Sequence, residues 1–301
     1  MTNNNCETNG VYVAIVGEPN VGKSTLLNKF LGRKLSITSR KRQTTRHRLL
    51  GIKTDANNQY VFVDTPGLHS DQPKLLNRYM NRMSLGTFVG VDVILWLRTK
   101  LKWSEYDDFI LEHVKNSSTP VIVVQNKVDK LDSPDVLLPC IAELESKYGF
   151  AAIVPLSAKT GENIVALWGV INNFLNPQPF YFNEDQITDR SDSFVASEWI
   201  REQLTRKLGQ ELPYDLSVSI DMFQKNRKLY KIYATIWVDH DSQKSIVIGN
   251  DGAVLKTIGT RARLALEEYF QRKVFLQLWV KVKRGWADRA ASLNSLGYDE
   301  K

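Results

Sequence analysis

The sequence predicts an open α/β unit followed by a smaller α+β unit, and three observations carry that reading. Strand-length apolar runs alternate with helix-spaced apolar positions over the first half of the chain. A glycine-rich turn joins the first strand to the first helix. From about residue 177 the composition shifts to proline, aromatic and acidic residues, and beyond Asp192 a differently patterned segment begins.

The 301 residues, 43% of them apolar, can fill one large core or two smaller ones. No run of about 18 uncharged apolar residues is present, which excludes a membrane-spanning helix. The start, MTNNNCETNG, has neither the basic residues nor the apolar run of a signal peptide, and residues 1–9 read as a disordered leader. Cys6 and Cys140 are the only cysteines, which excludes a disulfide framework and fits a reducing cytoplasm. A net charge of +7 points to a polyanionic partner, nucleic acid or anionic lipid.

Val11 to Val16 is an apolar strand, and Leu26, Leu27, Phe30 and Leu31 share one helical face, so Gly17 to Thr25 (GEPNVGKST) is the turn between them. Gly17 and Gly22 let the intervening N–H groups, those of Asn20 and Val21 included, turn inward on phosphate oxygens at a helix N-terminus. Lys23 then reaches the terminal phosphates, and the Ser24 hydroxyl, followed by Thr25, is placed for a bridging magnesium ion. Arg40 to Arg48 (RKRQTTRHR) has no period and reads as a loop, where a nucleotide-sensing switch would lie.

Strands are expected at Leu49 to Thr54 and Tyr60 to Val63, joined by the turn at residues 55–58. The second ends in Asp64-Thr65-Pro66-Gly67, where Asp64 can hold magnesium through water and Gly67 can offer its N–H to the terminal phosphate. A polar loop and a helix with Leu75, Leu76, Tyr79 and Met83 inward follow. Next come a strand at Val91 to Leu97, a helix at Tyr106 to Val114 and a strand at Val121 to Gln125. The last delivers Asn126-Lys127-Val128-Asp129 to the strand ends, the ligand edge of an open α/β sheet. Asp129 can accept both the ring N–H and the exocyclic amine of guanine, a pairing adenine cannot match. Asn126 would brace neighbouring loops and the Lys127 stem would lie over the base. After a helix at Leu137 to Lys147 and a strand at Ala151 to Leu156, Ser157-Ala158-Lys159 brings the Ala158 N–H to guanine O6. A helix at Leu167 to Leu175 closes the unit near residue 176.

The second unit opens with a helix at Phe194 to Leu208, stopped by Gly209 and Pro213. Strands at Leu216 to Phe223 and Leu229 to Val238 flank the basic turn at residues 225–228. Ser245 to Ile248 leads to Gly249-Asn250-Asp251-Gly252 and an amphipathic helix from Ala253 to Phe270. A glycine-bounded polar pair between two helices is the clamp with which KH modules hold single-stranded nucleotides. Lys244, Lys256, Arg261 and Arg263 flank it; Asp251 is an awkward charge there and suits a helix cap instead. A strand at Val274 to Val282 and a polar tail, residues 285–301, complete the chain.

Over all but its leader the sequence resembles the Era family of bacterial GTPases. GEPNVGKST, QTTRHR, DTPGLH, NKVD and SAKTG match that family's nucleotide motifs; ITDRS, ELPY, VIGNDG, IGTRAR and LWVKVKRGW match its linker and C-terminal domain. The resemblance implies an α/β P-loop G domain at 10–176, a linker at 177–192 and an α+β type II KH domain at 193–284. It implies a GTPase that uses magnesium to turn GTP into GDP and phosphate. Its partner would be 16S ribosomal RNA near the 3′ end, in maturation of the small ribosomal subunit, as a monomer in the cytoplasm. Peripheral contact with the inner membrane is described for the family, and docking to that membrane or to a protein is the alternative role of the second unit.

Carried onto this chain, Lys23, Thr44 or Thr45, Asp64 and Gly67 serve catalysis, and Ser24, Thr44 or Thr45 and Asp64 hold magnesium. Asn126, Lys127, Asp129, Ser157, Ala158 and Lys159 read guanine; Gly249, Asn250, Asp251, Gly252, Lys256 and Arg261 bind RNA. Asn20 becomes a candidate ligand for potassium. Two residues depart from the pattern: Glu18 stands where most members have Arg, and Asp251 where many have Lys. Leu68 follows Gly67, so no glutamine orients water and slow intrinsic turnover is expected. His47 and His69 read as neutral surface residues.

Overall fold

The structure, a computed structural model, describes residues 8–39, 44–67, 75–88, 90–209, 216–296 and 298. Leader residues 1–7, Leu68, His69 and Pro213 lie outside them.

The first sheet forms from strands whose sequences are rich in Val, Ile and Leu because they are buried on both faces. In β4 (Val93–Arg98) and β5 (Val121–Asn126) every residue is buried. With β1 (Asn9–Gly17), β2 (Leu49–Asp55), β3 (Asn58–Asp64) and β6 (Ala152–Leu156), the order is β2-β3-β1-β4-β5-β6. The β2–β3 pairing is an antiparallel hairpin; the others along this path are parallel. Helices α1 (Lys23–Leu31), α2 (Leu75–Leu85), α3 (Glu105–Lys115), α4 (Leu137–Lys147) and α5 (Ile164–Asn172) alternate with these strands. On one face Trp96 is wholly buried, its ring centroid 5.9 Å from Trp103 and 5.8 Å from Phe150. Phe30, Phe62 and Trp168 form a second aromatic cluster, with Phe30 stacked on Phe62 at 4.6 Å.

Two stretches differ from expectation. Helix α5 starts at Ile164 rather than Leu167, because Ile164, Leu167 and Ile171 bury as one stripe. Asn176 and Pro177 form a short strand, β7, antiparallel to the start of β1. The residues expected as a linker are instead tied to the sheet: Gln59 exchanges two hydrogen bonds with the Phe182 backbone at 2.9 and 3.0 Å, and the Ile52 N–H donates to the Ile187 carbonyl at 2.7 Å. The compact units are accordingly 1–36, 45–72 and 80–189 on one side, and 37–44, 73–79 and 190–301 on the other.

In the second unit, α6 (Asp192–Lys207) precedes β8 (Leu216–Lys225) and β9 (Leu229–Val238). Then come α7 (Asp241–Ile248), α8 (Ala253–Phe270) and β10 (Lys273–Val282). The sheet runs β10-β9-β8, with β10 parallel and β8 antiparallel to β9. A capping box at His240, closed by Gln243, starts α7 four residues before the expected Ser245. The helices cover one face of the sheet, over buried Leu216, Val218, Ile232, Ala234, Ile236, Val274 and Val280.

Within the polar tail Trp286 is fully buried and Tyr298 nearly so, their rings 6.2 Å apart. Between them lies α9 (Ala290–Ser295). Tyr298 also meets the Tyr79 ring edge-on at 6.0 Å. Two large rings among polar residues gave no period to read, but their burial anchors this segment in the second unit. Trp286→Ala should destabilise that unit by about 3–5 kcal/mol, the range for emptying a buried aromatic site. Urea unfolding followed by circular dichroism checks it.

Candidate functional site

The carboxyl ends of β1, β3 and β5 bring the phosphate-side residues to one edge. Gly22 caps α1 at φ 110°, and a Cβ there would lie 2.3 Å from Asn126 Nδ2, so only glycine fits both the angle and the space. Lys23 is buried and its ammonium donates to the carbonyls of Gly17 and Glu18, both at 2.9 Å. Burial pulls its pKa down to about 8, against the opposing charges of Asp64 and Glu18. The departure at Glu18 is balanced within the chain: its carboxylate accepts from Lys100 at 2.7 Å.

Asp64 is also fully buried, which raises its pKa, while Lys23 and the hydroxyls of Ser36, Ser24 and Thr45 oppose that rise. Ser36 and Ser24 donate to its Oδ2 at 2.8 and 3.1 Å, and Ser24 Oγ lies 2.9 Å from Thr45 Oγ1. The other carboxylate oxygen, Oδ1, is buried with no hydrogen-bond partner among the described residues. An orphaned carboxylate oxygen beside two hydroxyls is a donor set suited to a hard dication. Thr45 therefore stands with Ser24 and Asp64, whereas the Thr44 carbonyl accepts from the Arg201 guanidinium of α6. Gly67 is buried three residues after the end of β3, beyond Thr65, whose hydroxyl donates to the Ile15 carbonyl at 3.0 Å. His47 is buried rather than at the surface.

At the other end of the edge, Asn126 acts as the expected brace. Its Nδ2 donates to the Val21 carbonyl at 2.6 Å, and its Oδ1 accepts from the Lys127 and Ala158 N–H groups at 2.8 and 2.9 Å. The Ala158 amide, expected to serve guanine O6, is thus engaged with Asn126 and must be shared or exchanged to take that role. Lys127 adopts φ 69° and donates from Nζ to the Asn20 carbonyl at 2.6 Å, laying its stem between the two loops. Ser157 donates to Asp129 Oδ1 at 2.6 Å, fixing that carboxylate, while Lys159 and Asp129 face solvent. Asn20 takes a left-handed φ of 64° within the turn, and Thr25 is half-buried.

The clamp residues form a tight connection between α7 and α8. Gly249 takes φ 74° and ψ 176°, and a Cβ there would meet the Val254 side chain at 2.4 Å. Asn250, Asp251, Lys256 and Arg261 are exposed around it. Asp251, at φ 48°, does not cap α8: the chain is still left-handed there, so the N-cap falls to Gly252 and no side chain bonds that helix end. Arg263 turns to Glu267 at 3.0 Å.

Sequence reasoning missed Ser36, Lys100 and Arg201. Each acts on a motif residue from far along the chain, and nothing local marks it.

A family model described as a 50S ribosome-binding GTPase matches residues 12–127, and one described as a KH domain matches residues 211–287. The chain is 52% identical over 289 residues to the GTPase Era of Coxiella burnetii (strain Dugway 5J108-111), covering 96% of this chain and 98% of that one. It is 49% identical over 288 residues to the GTPase Era of Haemophilus influenzae (strain PittGG), covering 95% of each. Among solved structures, Era in complex with MgGDPNP and nucleotides 1506–1542 of 16S ribosomal RNA aligns with a TM-score of 0.93 at 38% identity, over 97% of this chain and 99% of that one. A variant of Aquifex aeolicus Era bound to GDP·AlF4− gives the same values.

The buried ammonium makes a pH prediction. Free Lys holds its proton to 10.5, whereas folded Lys23 releases it near pH 8, and burial shifts Lys127 in the same direction. Between these values the unfolded chain binds more protons, so stability of the nucleotide-free protein should rise with pH from about 8 to about 10.5. Lys23→Met should flatten that rise, as read from urea midpoints at fixed salt.

Proposed function

The chain belongs to the Era family of GTPases, and from that premise we propose that it is a GTP-dependent RNA-binding switch acting on small-subunit ribosomal RNA near its 3′ end. GTP hydrolysis by such a site rests on positioning and charge. The turn from Gly17 to Gly22 presents N–H groups to the phosphates, and Lys23 adds a cation to the terminal pair. Ser24, Thr45 and Asp64 would hold magnesium, which supplies charge neutralisation on the phosphate oxygens. Gly67 offers a backbone N–H to the terminal phosphate, and water attacks the terminal phosphorus to give GDP and phosphate. Asp129, steadied by Ser157, selects guanine by accepting two N–H groups, and Asn20 remains a candidate for a potassium ion.

The observation that carries the switch is the parting of neighbours at residues 44 and 45. Thr45 stands with the nucleotide-side hydroxyls, while residues 37–44 belong to the unit that holds the Gly249–Gly252 clamp. Within that unit the Thr38 N–H donates to Glu202 at 3.0 Å and the Thr44 carbonyl accepts from Arg201. A nucleotide state that pulls on Thr45 therefore pulls on Thr44, whose carbonyl is held by Arg201 of α6, the helix that opens the RNA-binding unit. The clamp would hold single-stranded RNA against Lys256 and Arg261. The solved Era complex with nucleotides 1506–1542 of 16S ribosomal RNA supports the identity of that RNA, and the cytoplasm is the expected place of action.

Two measurements test this reading. Thr45→Ala should raise the magnesium needed for hydrolysis and cut kcat/KM by about 10²-fold, as expected for loss of a charge-stabilising contact, while Thr44→Ala should stay within a few-fold. The reverse order would exchange their roles. RNA affinity at fixed salt should be at least ~tenfold tighter with a non-hydrolysable GTP analogue than with GDP, a coupling of ~1.4 kcal/mol. Equal affinities would remove the switch.

A further inference from the structure

The sheet of the second unit has two faces, and the helices with the clamp occupy one. On the opposite face the alternation of β9 and β10 sets out a row of aromatic and cationic side chains. Phe275 and Trp279 are 44% and 39% exposed, large rings held in water at a cost that a purely structural sheet face would avoid. Tyr233, on the neighbouring strand, stacks on Trp279 at 5.8 Å with 17° between the rings and touches Phe275 at the same centroid distance. Beyond them Trp237 carries two cations over its ring, Lys281 Nζ at 5.8 Å and Lys283 Nζ at 5.7 Å. The in-register parallel pairing of β9 with β10, Gln277 opposite Tyr233 and Lys281 opposite Trp237, keeps these groups in line.

We infer that this face is a second RNA-binding surface, which stacks unpaired bases on Tyr233, Phe275 and Trp279 and holds the adjoining phosphates with Lys281 and Lys283. Phe275 and Trp279 stand four residues apart on one strand, about 13 Å, which suits two or three splayed bases. Stacking accepts any base, and lysines beside the rings supply the sequence-independent attraction to phosphate. The carboxylate of Asp221 lies on β8, the strand remote from β10, and accepts from Thr235 at 2.7 Å. The track therefore follows the β9–β10 side. Gln277 between Phe275 and Trp279, with Lys281 and Lys283 beyond them, favours RNA over an acyl-chain surface, which takes protruding apolar side chains.

The inference rests on the RNA reading above but concerns a face the clamp does not share, so the two can fail separately. The test uses the full chain loaded with a non-hydrolysable GTP analogue. Two RNAs are titrated at several salt concentrations: nucleotides 1506–1542 of 16S ribosomal RNA, and a short single strand from the 3′ end of that fragment. The double variant Phe275→Ser with Trp279→Ser should weaken the long RNA at least ~tenfold and leave the short strand within about twofold, in line with the loss expected on removing stacked rings. Lys281→Glu with Lys283→Glu, which leaves the rings in place, should also weaken the long RNA and reduce its salt slope by about two. Wild-type affinity of both double variants for the long RNA overturns the surface, as does an equal loss for both RNAs. Loss of binding to anionic vesicles alone also overturns it, in favour of lipid. Gly252→Asp separates the readings: if it keeps the long RNA while the ring variant loses it, the clamp assignment fails and the surface stands.

Discussion

Parallel strand register is the constraint on which the nucleotide site depends. Pairing of β1 with β3 sets Ile15 opposite Asp64, and pairing of β1 with β4 sets Gly17 opposite Leu97. The phosphate turn and the acidic strand end therefore emerge at one edge, and β5, paired on through β4, adds Asn126. A slip of one residue would reverse every side chain on these doubly buried strands, so the same apolar packing that forms the core also fixes the site. Asn126 then ties the edge across, from the Val21 carbonyl to the Ala158 amide.

That edge holds charge in a dry setting. Lys23 and Asp64 are both buried, and burial moves each toward its neutral form, the lysine down and the carboxylate up. Their mutual attraction and the hydroxyls of Ser24, Ser36 and Thr45 oppose that drift. A site that keeps poorly compensated charges out of water gains strongly when opposite charges enter, because the desolvation has already been met during folding. The orphaned Oδ1 of Asp64 is the most direct sign of this.

The motif-bearing positions were legible because each combines a local composition with a fixed place in the strand and helix pattern. Lys23, Ser24, Asp64, Asn126 and Asp129 all lie at strand or helix ends where a short sequence determines the backbone. Less was legible where the deciding contact is distant. Ser36 carries no motif, and its bond to Asp64 spans 28 positions. Residues 182–189 look like a linker by composition but are held through their own backbone groups, which any sequence possesses, Ile187 to the β2 backbone and Phe182 to the Gln59 side chain of β3. Trp286 and Tyr298 sit among polar residues, so no period announces their burial. Asp251 failed as a cap because the backbone angle at that position, not the side chain, decides where α8 begins.

The same distinction explains why sequence could not separate Thr44 from Thr45. Adjacent identical residues have the same chemistry, and only the direction of the chain between them sets their contacts apart. Here Thr45 turns its hydroxyl to Ser24 while Thr44 offers its carbonyl to Arg201, whose guanidinium is itself fixed by two bonds to Glu198 at 2.7 and 2.5 Å. An arginine held in this way gives a backbone acceptor one preferred position, since the donor cannot follow it far without losing the carboxylate. Any nucleotide state that favours a different position for Thr45 must then strain or release the Thr44 contact. The free energy available for switching is bounded by that difference. A side-chain contact at Thr44 could have been lost by rotation alone; a backbone contact adjoining Thr45 can be lost only by moving the chain.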